Sequence, residues 1–391
     1  MTQLPHGVRN NNSLGTEDGF DLLAKRALRR HAFEWSAAGC FRSEVHDQVI
    51  SSLHTLAAEL RRSTKPLLSL RRIRGGRTHV GLTDFGRRLI DVVYADFERV
   101  MYDYRVHRFS PVFETVRQFA RRIPKRYRFH LDMDFAPEEA AQMATYAKRW
   151  VNMLRRRLLR DGLKAANENF RRGGIDIFNG TFDSIEWLSQ SHPCVTSTRF
   201  DLHVGQQGSR PVEFDEELEV KELDLLMALR ERFHRSLDRQ FGKALLGYVW
   251  VLEHGRQRGF HIHYLLLLDP RGHEDHCAIV EAVGRKWCAL TGGGEDDFFN
   301  CHLPAKGYRF RAIGLLRFDD HDAVKGLRFI VVYMTLATLF VKLDIGNRCA
   351  FGKGRFPKAP APSRGRPKKR SPNTRIRLTV REALDGYLNA L

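Results

Sequence analysis

The chain has 391 residues, of which 42% are hydrophobic, so it is long enough to form two domains with sizeable cores. Its 65 lysines and arginines outnumber 46 aspartates and glutamates, and the net charge of +19 favours a polyanionic partner such as nucleic acid. No apolar run has the length of a membrane span, and the polar first residues argue against a signal peptide. Six scattered cysteines without a CxxC pair are typical of free thiols in a reducing compartment. We therefore expect a cytoplasmic protein with no membrane partner.

The first half of the chain predicts a mainly helical domain. Residues 1–19 are polar and rich in Gly and Asn, which favours a disordered lead-in. Apolar residues recur at helical spacing from Phe20 to Arg62, and Thr83 can cap a following helix. A further helix begins at Pro137 with two glutamates in its first turn, as helix N-termini prefer. We assign residues 20–175 to a helical domain whose role the sequence leaves open.

Two basic stretches of this half each allow two interpretations. The segment from Leu67 to Leu82 is either a hairpin or loop that touches phosphate, or a solvated turn; its arginines are Arg71, Arg72, Arg74 and Arg77. The later stretch is either a DNA-contacting helix face or the wet side of an amphipathic helix. Its basic residues are Arg155, Arg156, Arg157, Arg160, Lys164, Arg171 and Arg172.

The second half predicts strands and helices in alternation after a connection from Gly173 to Pro193. Alternating residues indicate strands, and apolar residues at helical spacing indicate helices. The predicted elements are a strand at 194–204, a helix at 216–241, two strands within 247–269, and helices at 274–290 and 322–343. This order suits an antiparallel sheet with helices on one face. The predicted fold class is therefore α+β.

A pair of histidines marks the candidate site. His261 and His263 alternate with apolar residues in a strand, so they project from one face, about 7 Å apart. The preceding strand ends in Glu253 and His254, and a hairpin brings one of these two alongside the pair. Two imidazoles and a carboxylate form a plausible divalent-metal site. The alternative is that both histidines are ordinary core or rim residues.

The segment His261-Ile262-His263 resembles the His-hydrophobic-His signature of the HUH endonucleases. The wider pattern, Trp250-x-x-Glu253-x-Gly255-x-x-x-Gly259-x-His261-x-His263, is similar to the inovirus-type replication proteins of filamentous phages and prophages, the YagK/YfjJ-like C-terminal domain family. The resemblance covers roughly residues 193–356. It implies a ferredoxin-like sheet over residues 193–350 in a rolling-circle replication initiator. The implied substrate is single-stranded or hairpin DNA at a replication origin, with a host helicase or polymerase as a further partner.

The resemblance also implies roles for individual residues. His261, His263 and Glu253 would hold Mg²⁺ or Mn²⁺, with His254 as the rival third ligand. Tyr333 would attack the DNA backbone and form a 5′-phosphotyrosine, and Tyr308 is the second candidate nucleophile.

Two positions depart from the family pattern. Leu336 stands where a lysine is common, and Thr338 where an acidic residue is common. A phosphate-cleaving site benefits from a nearby cation. Either Arg348 or Lys325 supplies that cation, or the protein is a cleavage-deficient DNA-binding protein with the same fold. A third hypothesis is a structural or regulatory protein whose histidine pair is incidental.

A weak candidate zinc site consists of His273, His276, Cys277 and Cys288.

Residues 351–373 predict a disordered basic linker with an AT-hook-like segment, for which non-specific phosphate binding is the competing interpretation. The DNA-binding residues of this segment are Arg364, Arg366, Lys368, Lys369 and Arg370. Residues 374–391 predict a last strand or short helix.

Overall fold

The computed structural model describes residues 44–122, 133–205, 215–255, 259–302 and 312–356. The lead-in, Tyr308, the AT-hook-like segment and the C-terminal element lie outside these ranges. The described helices are α1 (Glu44–Arg62), α2 (Asp84–Val93), α3 (Phe97–Asp103), α4 (Pro111–Arg121), α5 (Pro137–Leu158), α6 (Asp161–Ser191), α7 (Glu216–Phe241), α8 (His276–Thr291) and α9 (His321–Leu336). Within the described ranges no helix combines the length and apolar character that a membrane crossing requires.

All the described strands pair in antiparallel fashion, and the described part of the chain is a mixture of helices and antiparallel sheets, which confirms the α+β class. The strands are β1 (Leu68–Arg72), β2 (Thr78–Leu82), β3 (His107–Phe109), β4 (Met133–Phe135), β5 (Cys194–His203), β6 (Leu245–Gly255), β7 (Gly259–Leu268), β8 (Phe298–Asn300), β9 (Gly314–Arg317), β10 (Val341–Leu343) and β11 (Phe351–Gly354).

Local sequence signals fix several helix starts. The Thr83 hydroxyl accepts a hydrogen bond from the Gly86 amide at 2.9 Å and caps α2, as its position predicted. Pro137 begins α5, where its missing amide hydrogen costs nothing. The predicted helix over 322–343 is too long: α9 ends at Leu336, and β10 follows after a short turn.

The predicted connection from Gly173 to Pro193 is wrong, because α6 runs without interruption to Ser191. Its glycines permit close packing instead of ending the helix. A Cβ atom on Gly174 would lie 2.6 Å from the hydroxyl oxygen of Thr338. Downstream of the glycines, α6 buries four apolar side chains: Phe178, Phe182, Ile185 and Leu188. Side-chain burial therefore outweighs the weak helix propensity of glycine.

The two halves of the chain share one core. Residues of α1, α4, α5 and α6 belong to the same hydrophobic cluster as residues of β6, β7 and α9. In addition, β3 of the first half pairs with β10 of the second half. The first half is also less purely helical than predicted, since β1, β2 and β4 form a three-stranded sheet.

The large sheet has the strand order β11-β6-β7-β5-β8, with β9 also paired to β5. The prediction of helices on one face is wrong, because both faces are covered. Apolar residues of α7 and α8 pack on one face, against Ile262 and Leu266. Apolar residues of α9 and α6 pack on the other face, against Leu265 and Leu267. The uninterrupted run of leucines in β7 is the sequence signature of a strand that is buried on both sides.

The prediction that the chain is disordered from residue 351 is wrong for its first residues. Phe351–Gly354 forms β11, the edge strand paired to β6. Gly352 lies over the ring of Trp250, where a Cβ atom would come within 2.4 Å of the indole nitrogen. The Lys353 ammonium donates to the Ser184 hydroxyl of α6 at 2.7 Å. The glycine at position 352 thus lets β11 lie against the large aromatic ring of Trp250.

Candidate metal centre

The candidate centre lies on the sheet face that α9 covers. The pairing register places His261 opposite Glu253 of β6 and opposite His203 of β5. The same register places His263 opposite Asp201. Directly opposed residues of antiparallel strands project to the same side, and so do residues two apart in one strand. Three adjacent strands therefore bring five polar side chains to one face.

Both imidazole rings converge on one carboxylate oxygen. The Nε2 atom of His263 lies 2.9 Å from Glu253 Oε2, and the Nε2 atom of His261 lies 3.7 Å from the same oxygen. The ligand atoms of the three side chains all lie within 4.8 Å of one another. Both histidines are buried, whereas Glu253 is partly exposed. The predicted trio is therefore brought together at a spacing that a single divalent cation can bridge.

The other nitrogen of each ring is held by an oxygen. His261 Nδ1 lies 3.1 Å from the Gly259 carbonyl oxygen and donates to it, because a carbonyl can only accept. His263 Nδ1 lies 2.5 Å from the carboxylate oxygen of Asp201 and likewise donates. A neutral imidazole that donates through Nδ1 presents a lone pair on Nε2. The two rings are thus oriented in the way that metal-binding histidines usually are, with an oxygen acceptor behind each ligand.

The two rings differ in charge. Burial and the nearby His263 lower the pKa of His261 well below its ordinary value, so this ring is neutral. Burial alone would lower the pKa of His263, but the charges of Asp201 and Glu253 raise it to about 10. Burial alone would raise the pKa of the Asp201 carboxyl, but His263 holds it below its ordinary value. A cation that binds Nε2 of His263 must therefore displace one proton, and the two carboxylates offset its charge.

His254, the rival third ligand, lies on the opposite face of the sheet. Its side chain is buried, and its Nε2 atom lies 2.9 Å from a carboxylate oxygen of Glu219 in α7. Its ring packs edge-on against Phe260, with the ring centroids 4.7 Å apart. Of the two candidates, only Glu253 faces the histidine pair, as strand alternation requires.

Asp201 and His203 of β5 are part of the arrangement, although neither was among the predicted site residues. The ring of His203 stacks on that of His261, with the centroids 5.2 Å apart and an interplanar angle of 21°. The Cys301 thiol lies 3.7 Å from the Asp201 carboxylate. The signal was available, because Asp201 and His203 are two residues apart in a predicted strand, as are His261 and His263.

The helix that carries Tyr333 packs on the same sheet face. Apolar residues of α9, including Val324 and Leu327, share a core cluster with Val251 of β6. Tyr333 lies within α9, three residues before its end at Leu336. This placement puts the helix of the predicted nucleophile and the predicted metal ligands on one side of the sheet.

The cations that were expected to replace the missing lysine are differently placed. The Arg348 guanidinium donates to the Asp224 carboxylate of α7 at 2.8 Å, so its charge is already compensated. The other candidate, Lys325, lies near the start of α9, and its side chain is partly buried. A cation that the sequence analysis missed lies on the site face itself: Arg199 of β5 is buried, and its charge helps to lower the pKa of Asp201.

A second group of ligand-type residues does not fit a metal. His276 Nδ1 lies 2.7 Å from His302 Nδ1 and 3.5 Å from the Cys277 sulfur. However, His302 Nε2 accepts the Arg199 amide hydrogen at 3.2 Å, so the neutral ring carries its proton on Nδ1 and donates it to His276. Burial and His276 lower the pKa of His302 to about 4, which keeps the ring neutral.

The four residues of the candidate zinc site do not come together either. His273 donates to the Arg271 carbonyl, and the Cys288 thiol donates to the Gly294 carbonyl. Neither residue belongs to a described group whose ligand atoms lie within bridging distance of one another. Among the described residues, the geometry therefore favours the trio around Glu253 as the metal centre.

Comparisons with family models, curated proteins and solved structures gave no match to this chain. The relationship to the HUH endonucleases therefore stays a prediction that rests on the quoted motifs.

Proposed function

We propose that the protein is a metal-assisted DNA-nicking enzyme of the HUH type that initiates rolling-circle replication. The observation that carries this proposal is the convergence of two buried imidazole Nε2 atoms on one carboxylate oxygen of Glu253. A mostly apolar strand has no packing reason to bury two imidazoles on one face, since buried polar groups cost free energy unless they are paired.

The chain path of the large sheet supports the proposal. The elements β5, α7, β6, β7 and α8, followed by β8 and β9, form a β-α-β-β-α-β unit. Across the sheet, β8 and β9 lie beside β5, β5 lies beside β7, and β7 lies beside β6. This strand order is that of a ferredoxin-like sheet. The two crossover helices pack together on one face, and the site lies on the opposite face, on which α9 also packs. This is the arrangement that the motif resemblance implies.

The proposed chemistry assigns each residue a task. His261, His263 and Glu253 would hold Mg²⁺ or Mn²⁺, and Asp201 would orient His263 and balance its charge. When bound, the metal supplies stabilisation of the negative charge that develops on the scissile phosphate. The Tyr333 oxygen forms a bond to phosphorus and loses its proton to solvent. The bond from phosphorus to the 3′ oxygen breaks, and this oxygen takes up a proton and becomes the primer end.

A cleavage-deficient DNA-binding protein is the second candidate, and a specific observation favours it. Position 336 lacks the usual lysine, and the charge of Arg348 is engaged by Asp224. Phosphoryl transfer depends on cations that stabilise the transition state, so their shortage would slow cleavage more than binding.

A covalent-adduct assay tests both candidates. The full-length protein is incubated with Mn²⁺ and end-labelled single-stranded DNA from its own locus, and the products are separated on a denaturing gel. The proposal expects a protein–DNA adduct that is lost in Tyr333→Phe and in His261→Ala. Tyr248→Phe, on β6, is the matched control and keeps the adduct.

Each other outcome has a defined meaning. An adduct that survives in Tyr333→Phe moves the nucleophile elsewhere, with Tyr308 next. Tight DNA binding without any adduct contradicts the nicking enzyme and supports the cleavage-deficient candidate.

A further inference from the structure

The first half of the chain contains a narrow basic hairpin that the nicking site does not use. β1 and β2 pair over five residues, from Leu68↔Leu82 to Arg72↔Thr78. Gly75 and Gly76 at the turn have φ angles of +82° and +73°, a conformation that glycine adopts without strain. The Ile73 amide donates to the Arg77 carbonyl at 3.0 Å and closes the turn. The tip is therefore a defined structure.

The base of the hairpin is anchored in the protein. Leu68 and Val80 are buried in the core, and β4 pairs with residues 78–80 of β2, next to the turn. The remaining four residues of β1 are exposed, so β1 is the free edge of this sheet. This ribbon is thus held in place by β4 and the core, and its edge strand β1 and its turn are the exposed parts.

Arginines occupy both faces and the tip of this ribbon. Arg71 stands opposite His79, and Arg72 stands opposite Thr78, so the two consecutive arginines project to opposite faces. Arg74 lies at the tip, and Arg71, Arg72 and Arg74 are all exposed. Positive charge is therefore distributed around the ribbon.

This charge is not compensated within the part of the chain that the structure describes. There, no carboxylate forms an ion pair with Arg71, Arg72 or Arg74. By contrast, Arg87 and Arg88 of the next helix pair with Asp84 and Glu59 at 2.8 and 2.7 Å. The hairpin arginines are thus available to an external anion.

We propose that the hairpin of β1 and β2 binds duplex DNA by entering a groove, where its arginines contact phosphates on both walls. The major groove of B-form DNA is about 12 Å wide and about 8.5 Å deep, so it has room for the edge strand β1 and the turn, while β4, two strands away from the edge, stays outside. A ribbon with cations on both faces matches a groove that is bordered by phosphates on both sides. The major groove of an RNA duplex is too narrow for it. This inference concerns a duplex and is independent of the proposed nicking of single strands.

The test measures the binding of full-length protein to a fluorescent duplex of arbitrary sequence across a salt series. The variant Arg71→Gln/Arg72→Gln/Arg74→Gln removes three positive charges from the hairpin. Each lost phosphate contact lowers the slope of log affinity against log salt by about 0.9, so three contacts lower it by about 2.7. We expect this decrease together with a loss of affinity of about tenfold or more at low salt.

The matched control removes the same charge elsewhere. Arg232→Gln/Arg235→Gln/Arg239→Gln changes three exposed arginines of α7. This control is expected to change the slope by much less than one contact. A lysine version, Arg71→Lys/Arg72→Lys/Arg74→Lys, keeps the charge and is expected to retain most of the affinity. If the glutamine variant folds poorly, Arg74→Gln alone is measured, because Arg74 lies in the exposed turn, and the slope is then expected to fall by about 0.9.

Several results would overturn the inference. Equal losses in the hairpin and α7 variants would mean that net charge alone governs binding. An equal loss of binding to single-stranded DNA or to duplex RNA would mean that the ribbon does not recognise a B-form duplex. Unchanged duplex binding in the hairpin variant, with its fold intact by circular dichroism, would rule the contact out.

Discussion

Substitution of Asp201 by asparagine provides the sharpest test of the metal centre. The carboxylate of Asp201 accepts the Nδ1 hydrogen of His263 at 2.5 Å and makes no direct contact with the proposed cation position between His263 and Glu253. Asparagine keeps the size of the side chain but removes the negative charge. Its amide group can also turn its NH₂ toward Nδ1, which would move the ring proton to Nε2 and block the ligand atom.

The expected size of the effect follows from the position of Asp201 behind a ligand. Loss of such an outer carboxylate typically weakens metal affinity by about 10- to 100-fold. The cost here should lie toward the upper end, because both groups are buried and little solvent screens the lost charge. Isothermal titration with Mn²⁺ measures the affinity, and thermal unfolding of the metal-free variants verifies that each is folded.

A matched control exists on the other face of the same sheet. Glu219 lies 2.9 Å from Nε2 of His254, and this is also a buried carboxylate–imidazole pair. Glu219→Gln should change Mn²⁺ affinity by less than about twofold, since that pair faces away from the site. The reasoning is refuted if Asp201→Asn binds Mn²⁺ as tightly as the parent protein, or if Glu219→Gln weakens binding to the same extent.

Three further predictions concern the ligand choice, helix packing and pH. Glu253→Gln should reduce Mn²⁺ affinity by about 100-fold, whereas His254→Ala should lower stability and leave affinity unchanged, as titration and urea unfolding would reveal. Gly174→Ala should destabilise the fold by about 1–3 kcal/mol in urea unfolding, because the new methyl group would lie 2.6 Å from the hydroxyl oxygen of Thr338. Gly173→Ala, the control, should be neutral or slightly stabilising. Burial lowers the pKa of His234 to about 4, so this ring binds its proton more readily in the unfolded chain, and stability is lost as pH falls from about 6.5 toward 4. His234→Gln should reduce the stability loss between pH 7 and pH 5 by about 2 kcal/mol, and equal losses in both proteins would contradict this assignment.

The hairpin of β6 and β7, which carries the candidate metal ligands, could be predicted because its determinants are local. Strand alternation places His261 and His263 on one face and separates Glu253 from His254, and the structure has this arrangement. The same rule applied to β5 would have added Asp201. A two-residue period is a property of the strand backbone itself, so no tertiary information is needed to use it.

Other features depend on contacts between distant parts of the chain. Gly173 and Gly174 suggest a helix end from sequence alone, but Gly174 allows α6 to approach the turn after α9. Gly352 likewise suggests a loop until Trp250 is placed beneath it. Whether a glycine ends a helix or permits close packing depends on its spatial neighbour, and the sequence does not specify that neighbour.

Metal affinity and cleavage test different parts of the proposed function. Both a nicking enzyme and a cleavage-deficient relative would retain the trio around Glu253, so Mn²⁺ affinity alone does not separate them. Arg199 is 4% exposed and lies on the same strand as Asp201, so it stabilises the charged form of that carboxylate rather than reaching a DNA phosphate. The usual lysine position on α9 is Leu336, which is not a metal ligand. A gain of adduct formation in Leu336→Lys, at unchanged Mn²⁺ affinity, would therefore identify the missing cation as the feature that limits cleavage.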